Sequence, residues 1–369
     1  MEKKTILIIF GGYSTEYYVS CNSASGIIDS IDKTLFNILK LGISIEGEWI
    51  FTNATAEEIK DGVSWLKHVD NKSALISPNR NEKKLLVFED YGLKEMDIDC
   101  VFPIIHGYGG EDGSIQGLLE VANIPYVGSN IAASANSIDK QLTRMFANNC
   151  GLKQPACIVL DEEDYEINKN VIEELIDFEY PLFVKPASLG SSVGITRVDA
   201  VSQLEKAIEE AFRYEKKILI EEGIIGTEIK VSVLGNRNLV TGEICELKVP
   251  ENEINDYETK YVKCSSIKNI PANIPDAISD EAKRQACLIY HELDCKGFAR
   301  VDFFLNKKNE LYFNEINTVP GFGENSIFTL MFEKAGMSYK DIITKLIYLA
   351  LEDSKQVSET SQELFKSIF

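Results

Sequence analysis

An α/β fold of two or three domains is what this sequence predicts. Three observations carry the prediction. Apolar runs that end in glycine loops alternate with helical stretches, the pattern of strands covered by helices. The chain has 369 residues, more than one small domain needs. Near the C-terminus, two apolar strands flank a short polar turn and read as a hairpin.

The elements follow in order. KTILIIF (residues 4–10) is a buried strand, followed by Gly11-Gly12 and a helical stretch to about Ile31. LFNILKLGIS and DCVFPIIHG read as further strands. EDGSIQGLLEVANI reads as a helix that opens in an acidic, glycine-punctuated loop. This order suggests a parallel sheet, with residues 52–95 polar and irregular between its strands. From 138 onward the pattern is helix (DKQLTRMFANNCG), strand (ACIVL), helix (VIEELIDF), strand (PLFVKP), glycine loop, strand (GITRV), helix (VSQLEKAIEEAFRYEK) and strand (ILIEE), a small α+β unit. Strands TEIKVSVLG and LVTGEICEL come next, then a polar loop, the helix DEAKRQACLIYHEL, the hairpin and a closing helix, YKDIITKLIYLALEDS. The expected divisions are an N-terminal parallel α/β domain at 1–138, a central α+β domain at 139–228, a mixed-sheet domain at 229–355 and a frayed polar tail at 356–369.

Composition removes several classes of function. A net charge of −20 without a Lys/Arg block argues against nucleic acid, because neutralising phosphates takes a basic surface. No apolar run approaches the length of a membrane span, and the N-terminus lacks a small-residue cleavage site. Eight cysteines without a CxxC pair, beside three histidines, make a zinc site unexpected and point to a reducing cytoplasm. Any small anion must then be held by individual lysines in apolar contexts.

The hairpin ARVDFFLNKKNELYFNEIN carries the most chemistry. With a loop of two or four residues centred on Lys308-Asn309, Asp302 lies opposite Glu315 and Arg300 opposite Asn317, all on one face. A three-residue loop would spoil that register. Strand alternation also places Phe313 on the Glu315 and Asn317 face, with Ile316 on the other. Two carboxylates buried together need cations. Arg300 offsets one charge, and Asp/Glu/Asn oxygens suit magnesium; a surface salt bridge is the plainer alternative. The Pro320-Gly321 turn could aim a backbone N–H at the same spot.

Other segments could handle phosphate. KPASLGSSVG (185–194) joins two strands with small residues whose N–H groups can approach an anion, though an ordinary flexible turn has the same composition. Lys185 ends a strand and Lys140 opens a helix. Glu221 and Glu222 end another strand, where alternation sends one inward, and Glu228 follows Gly226. His106 ends an apolar strand before four glycines, a place that faces a crevice in open α/β sheets, or it is a structural histidine bonded to nearby backbone.

Taken together, FGGYSTEYYVSCNSA, HGYGGEDGSIQGLLE, Asp139-Lys140, KPASLGSSVGI, ILIEE, DYETKY, GFARVDFFL and NEINTVPGF resemble, in this order and over residues 3 to 350, the D-alanine–D-alanine ligases of the ATP-grasp fold. The stretch from 45 to 95 looks nearer to the vancomycin-resistance-type D-alanine–D-serine branch. The resemblance implies ATP and two Mg2+ ions, with Mn2+ able to substitute. Lys140 and Lys185 would contact the ATP phosphates, with Ser191 and Ser192 in the loop covering them. Glu221, Glu222, Ile224 and Glu228 would surround adenine and ribose, and Lys260 would hold the γ-phosphate. Asp302, Glu315 and Asn317 would carry the ions. Glu16 would anchor the ammonium of the first D-amino acid, with His106 beside it. Ser191, Tyr261 and Glu16 would form the set that closes the site, and a lid around 245–268 would exclude water. Arg300 and the Gly321 N–H would stabilise the oxyanion. Ser326 would bind the acceptor carboxylate, near Ile327. The implied partners are D-alanine and ATP, with neither nucleic acid nor membrane, in a cytoplasmic homodimer joined through the first domain.

Two departures from the family pattern stand out. Tyr18 replaces a carboxylate in Glu16-Tyr17-Tyr18-Val19-Ser20. Gly323-Glu324-Asn325 precedes Ser326 where Thr-Ser-His is common, so either Glu324 points away or the acceptor carries a cation. Ile327 and Lys260-Tyr261 favour a small apolar amino-acid acceptor. The expected activity is ATP-dependent joining of two D-alanines for the peptidoglycan precursor. A D-alanine–D-serine ligase and a nucleotide-binding regulatory protein without ligase activity are the alternatives.

Overall fold

The computed structural model describes residues 2–248 and 267–368. Its N-terminal sheet contains strands β1 (Lys4–Gly11), β2 (Phe36–Ile43), β3 (Trp49–Phe51), β4 (Lys72–Ile76), β5 (Lys84–Glu89), β6 (Gly92–Asp97) and β7 (Cys100–Pro103). The strand order is β6-β5-β4-β3-β2-β1-β7. β1 pairs in parallel with β2 and β7, as the β-loop-α pattern predicts. Alternation along β1 divides two cores. Ile6, Ile8 and Phe10 face the helix Tyr17–Ser30 and the C-terminal helix, whereas Leu7 and Ile9 face the helix Ser114–Val121.

Residues 52–95 are not irregular. β3 to β6 extend the sheet by antiparallel pairing, and β5 and β6 meet at a two-residue turn after Glu89. These strands are short, and β6 is almost wholly exposed, so it lacks the buried-face alternation that signals a strand.

The central sheet, in the order β10-β9-β11-β8, is built from β8 (Cys157–Asp161), β9 (Leu182–Pro186), β10 (Thr196–Val198) and β11 (Lys217–Glu222). Its core packs Leu182, Val184, Ile218 and Ile220 under the helix Leu204–Phe212, through Leu204, Ala207, Ile208 and Ala211. The third sheet holds β12 (Gly226–Leu234), β13 (Val240–Thr241), β14 (Cys245–Lys248), β15 (Ile267–Asn269), β16 (Phe298–Asn306) and β17 (Leu311–Asn317). The closing helix runs from Tyr339 to Ile368, so the backbone of the expected frayed tail is helical. Ile342, Ile343, Leu346 and Ile347 dock that helix back onto the N-terminal core.

The hairpin reaches its predicted pairing by a different route. Leu305 pairs with Leu311 and Phe303 with Phe313, the register of an odd-numbered loop, and Asn309 has φ 61°. Lys307-Lys308-Asn309 is therefore a three-residue loop closed by Asn306 and Glu310. A bulge then inserts Asn314, after which Asp302 faces Glu315 and Arg300 faces Asn317. The bulge also resets alternation. Phe313 lies in the core with Val301, Phe303 and Ile316, and not on the Glu315 face where simple period-two counting puts it.

Candidate active site

Two adjoining cavities, of about 450 and 820 Å³, meet at Leu189, Gly190, Ser191, Leu247 and Glu315. The first lies between the N-terminal domain and the hairpin. Glu16, His106, Lys140, Ser191, Arg300, Glu315, Asn317, Gly321, Ser326 and Ile327 line it. The second runs between the central sheet and the hairpin. Lys185, Ser191, Ser192, Glu221, Glu222, Ile224, Glu228 and Glu315 line that one. Lys260 and Tyr261 lie outside the described residues. The ends of the expected lid, 245–248 and 267–269, are the paired strands β14 and β15.

At the shared wall, Ser191 Oγ donates to Glu16 Oε1 and joins the glycine loop to the N-terminal domain. Gly107 (φ 70°) and Gly190 let backbone pass this carboxylate: a Cβ at either would stand 2.7 or 3.1 Å from Glu16 Oε2. Ser191 and Ser192 both take left-handed backbone, at φ 50° and 59°. Such strain concentrates at ligand clamps.

His106 bridges two segments. Its Nδ1–H donates to the Val319 carbonyl at 2.8 Å, while Nε2 lies 3.1 Å from Ser23 Oγ. Burial lowers its pKa, although Glu16 and the Val319 carbonyl oppose the shift, which suits a neutral ring accepting from Ser23. Glu111 escaped the sequence reading. Its oxygens accept N–H from Gly107 at 3.0 Å and Val319 at 3.3 Å. Burial and the Glu16 charge push its carboxyl up to about 8 against these two bonds.

That shift has a testable sign. Unfolded Glu111 ionises near its ordinary 4.5, whereas the folded protein keeps the proton until about 8. The native state therefore binds more protons across that window. The contribution of Glu111 to stability is intact below 4.5 and is lost as pH rises through 8. Glu111→Gln is expected to show a smaller fall in melting temperature from pH 5 to pH 8 than the parent. Equal falls would mean that Glu111 ionises normally.

A lysine lines each cavity near their junction. Lys140, at the start of the helix Lys140–Asn149, donates to the Leu189 carbonyl at 2.7 Å. Burial lowers its pKa, partly opposed by Glu315. Lys185 Nζ lies 2.5 Å from Glu221 Oε2, and Arg144 holds Oε1 at 3.1 Å. Glu221 is thus the inward carboxylate of its strand, already shared by two cations. Arg144 went unnoticed in the sequence, although it lies one turn after Lys140 on the same helix face.

Asp302 is wholly buried. Arg300 Nε and Nη2 donate to Oδ1 and Oδ2 at 2.7 and 2.8 Å, and Lys230 Nζ donates to Oδ2 at 2.8 Å. Burial disfavours its charge, yet Arg300 and Lys230 pull its carboxyl down to about 2. Lys230, also missed, sits directly across from Asp302 in the β12–β16 register and also donates to Glu228 Oε1. Its burial lowers its pKa, but Asp302 and Glu228 reverse the shift and raise it.

The oxygens here fit a hard divalent cation. Asp302, Glu315 and Asn317 share one face, and the buried Asn317 amide nitrogen meets no partner. That orphan marks a place where another polar group completes the set. Among the described residues no three His, Cys, Asp or Glu side chains form a metal cluster, so a cation held here would complete its shell with oxygens from outside the protein.

The departures also resolve. Tyr18 is exposed, stacks edge-on against Tyr17 and abuts Gly62, away from the cavity lining. Glu324 is exposed at the cavity rim, where water screens its charge. Glu324→Ser is expected to lower the KM of a D-alanine acceptor about two- to fivefold, the effect of removing roughly 0.5–1 kcal/mol of screened repulsion. An unchanged KM would show that this charge does not reach the acceptor.

The model for the D-ala D-ala ligase N-terminus matches residues 5–129, and that for its C-terminus matches 146–348. The chain belongs to the D-alanine–D-alanine ligase family. A D-alanine–D-alanine ligase of Caldicellulosiruptor bescii is 40% identical over 359 residues, covering 96% of this chain and 97% of its own. One from a Thermoanaerobacter species is 42% identical over 364 residues, covering 96% and 99%. Among solved structures, the VanG D-Ala:D-Ser ligase of Enterococcus faecalis matches with a TM-score of 0.85 at 35% identity, covering 95% of this chain and all of its own. The Coxiella burnetii D-alanine–D-alanine ligase matches at 0.88 and 29%, covering 100% and 99%. The three sheets described above are thus the ATP-grasp architecture of this ligase family. No helix among the described residues is long and apolar enough to cross a membrane.

Proposed function

We propose that this protein joins two D-alanines, using ATP to activate the first through an acyl phosphate. The observation that carries the reading is the junction of the two cavities. There a substrate pocket bounded by Glu16 and His106 opens onto Lys140, Lys185, Ser191 and Glu315, with the wholly buried Asp302 paired behind Glu315.

A carboxylate is a poor electrophile, so one of its oxygens first attacks the γ-phosphorus and ADP leaves. In this reading Lys140 and Lys185 hold the phosphates, and Ser191 and Ser192 present the glycine loop to them. Glu221, Glu222, Ile224 and Glu228 wall the adenosine. Asp302, Glu315 and Asn317 would hold Mg2+, which would neutralise the moving phosphoryl charge when bound. Glu16 anchors the first ammonium, with His106 beside it. The acceptor amine then attacks the acyl carbon, phosphate departs, and Arg300 with the Gly321 N–H steadies the oxyanion. Ser326 stands at the N-cap position of the helix Ile327–Lys334 with no side-chain capping bond, and that N-terminus suits the acceptor carboxylate, with Ile327 against a small side chain. Lys260 and Tyr261 are proposed for the γ-phosphate and for closing the site.

ADP release measured with D-alanine alone tests this. Amino-acid-dependent ADP formation is expected, and its absence would end the ligase reading. D-serine as acceptor is the second reading, favoured by the likeness to the D-Ala:D-Ser ligase structure. The same assay with D-alanine plus D-serine or D-lactate ranks the acceptors.

A further inference from the structure

The Pro320-Gly321 turn is held on both sides by hydrogen bonds from distant parts of the chain. Before it, the Val319 N–H donates to Glu111 Oε2 at 3.3 Å, and the Val319 carbonyl accepts from His106 Nδ1–H at 2.8 Å. After it, the Phe322 N–H donates to Ser23 Oγ at 3.3 Å, and the Phe322 carbonyl accepts from the Tyr339 hydroxyl. Proline has no N–H to place. Among the described residues none accepts the Gly321 N–H. A Cβ at Gly321 would meet nothing within 4 Å, and Gly321 lines the first cavity, so the space beside this donor is open to a ligand.

Three of these bonds form one circuit. A carbonyl only accepts, so His106 Nδ1 carries the proton. In the neutral ring Nε2 then accepts from the Ser23 hydroxyl at 3.1 Å. Ser23 Oγ in turn accepts from Phe322. The chain from the Phe322 N–H through Ser23 and His106 to the Val319 carbonyl runs in one direction and closes across Pro320-Gly321. Bonds aligned in this way polarise and strengthen one another. Ser23, His106 and Tyr339 are all buried.

We propose that Ser23, His106 and Tyr339 are positioning residues, which fix the Pro320-Gly321 turn so that the Gly321 N–H meets the oxyanion of the peptide-forming step. The proposal rests on the ligase reading given above. An oxyanion donor is effective when it is fixed before the charge develops, and this circuit fixes it from both sides. His106 thus has a task besides standing beside the first substrate. Tyr339 lines neither cavity and reaches the reaction only through Phe322.

Ser23→Ala and Tyr339→Phe each remove one hydroxyl from the full-length protein. Amino-acid-dependent ADP release gives kcat and KM. Calorimetry, with the β,γ-imido analogue of ATP present, gives the affinity for a phosphinate analogue of D-alanyl-D-alanine, which carries an oxygen where the oxyanion forms. A displaced donor loses part of its effect, so kcat should fall about ten- to a hundredfold in Ser23→Ala and about three- to tenfold in Tyr339→Phe. KM for D-alanine and ATP should stay close to the parent values. Phosphinate affinity should fall by the same factor as kcat, as for any transition-state contact. A raised KM with unchanged kcat overturns the proposal, because these groups would then serve ground-state binding. A fall in kcat without a fall in phosphinate affinity overturns it too, as does a loss of folded protein alone. A parent that releases no ADP with D-alanine ends the ligase reading and this proposal together; an active parent with unaffected variants ends the proposal alone. Tyr339→Phe keeps the ring packed on Phe322, so the test stands even if Ser23→Ala fails to fold.

Discussion

Asp302→Ala is expected to lower the unfolding free energy by about 3–5 kcal/mol, the cost of leaving buried charge without its partner. Asp302 has no exposed surface, accepts two bonds from Arg300, and shares Lys230 with Glu228. Removing it strips the guanidinium of both its hydrogen bonds to Asp302 and leaves two cations facing each other across β12 and β16. The loss should therefore exceed that of an apolar truncation of similar size nearby. Urea denaturation of parent and variant measures it. A change under about 1 kcal/mol would mean that water reaches this face and that the pair is an ordinary surface bridge.

Glu315→Gln should separate activity from stability. Glu315 is only half-buried and stands where the two cavities join. The amide keeps the shape and one acceptor oxygen but loses the charge that a divalent ion needs. We expect kcat to fall about 10²–10³-fold, the scale of losing one preorganised electrostatic contact to a transition state. The melting temperature should stay close to that of the parent. A kcat within threefold of the parent would remove Glu315 from the metal set.

These residues also show what the sequence could reveal. Period-two alternation placed Asp302, Glu315, Arg300 and Asn317 on one face, and that pairing is present. Yet the loop length assumed for it was wrong. Local residue counting cannot see the Asn314 bulge, which restores the register and turns Phe313 into the core. Lys230 was legible in principle. In β12, Ile229, Val231 and Val233 point to the core, so Glu228 and Lys230 must share the other face. What was missing was the β12–β16 register, a long-range pairing. Glu111 gave less signal, since its importance arises when Val319, more than 200 residues away, folds over it. Strands β3 to β6 escaped because their pairing fixes them more than their composition does.

The central claim is that the carboxyl oxygen of the first D-alanine is phosphorylated before the peptide bond forms. D-alanine labelled with ¹⁸O in its carboxylate, turned over with ATP, tests this most directly when the released phosphate is examined by mass spectrometry. The account predicts one ¹⁸O in each phosphate formed with dipeptide, because the acyl C–O bond breaks and the P–O bond to that oxygen persists. Unlabelled phosphate alongside dipeptide would contradict it.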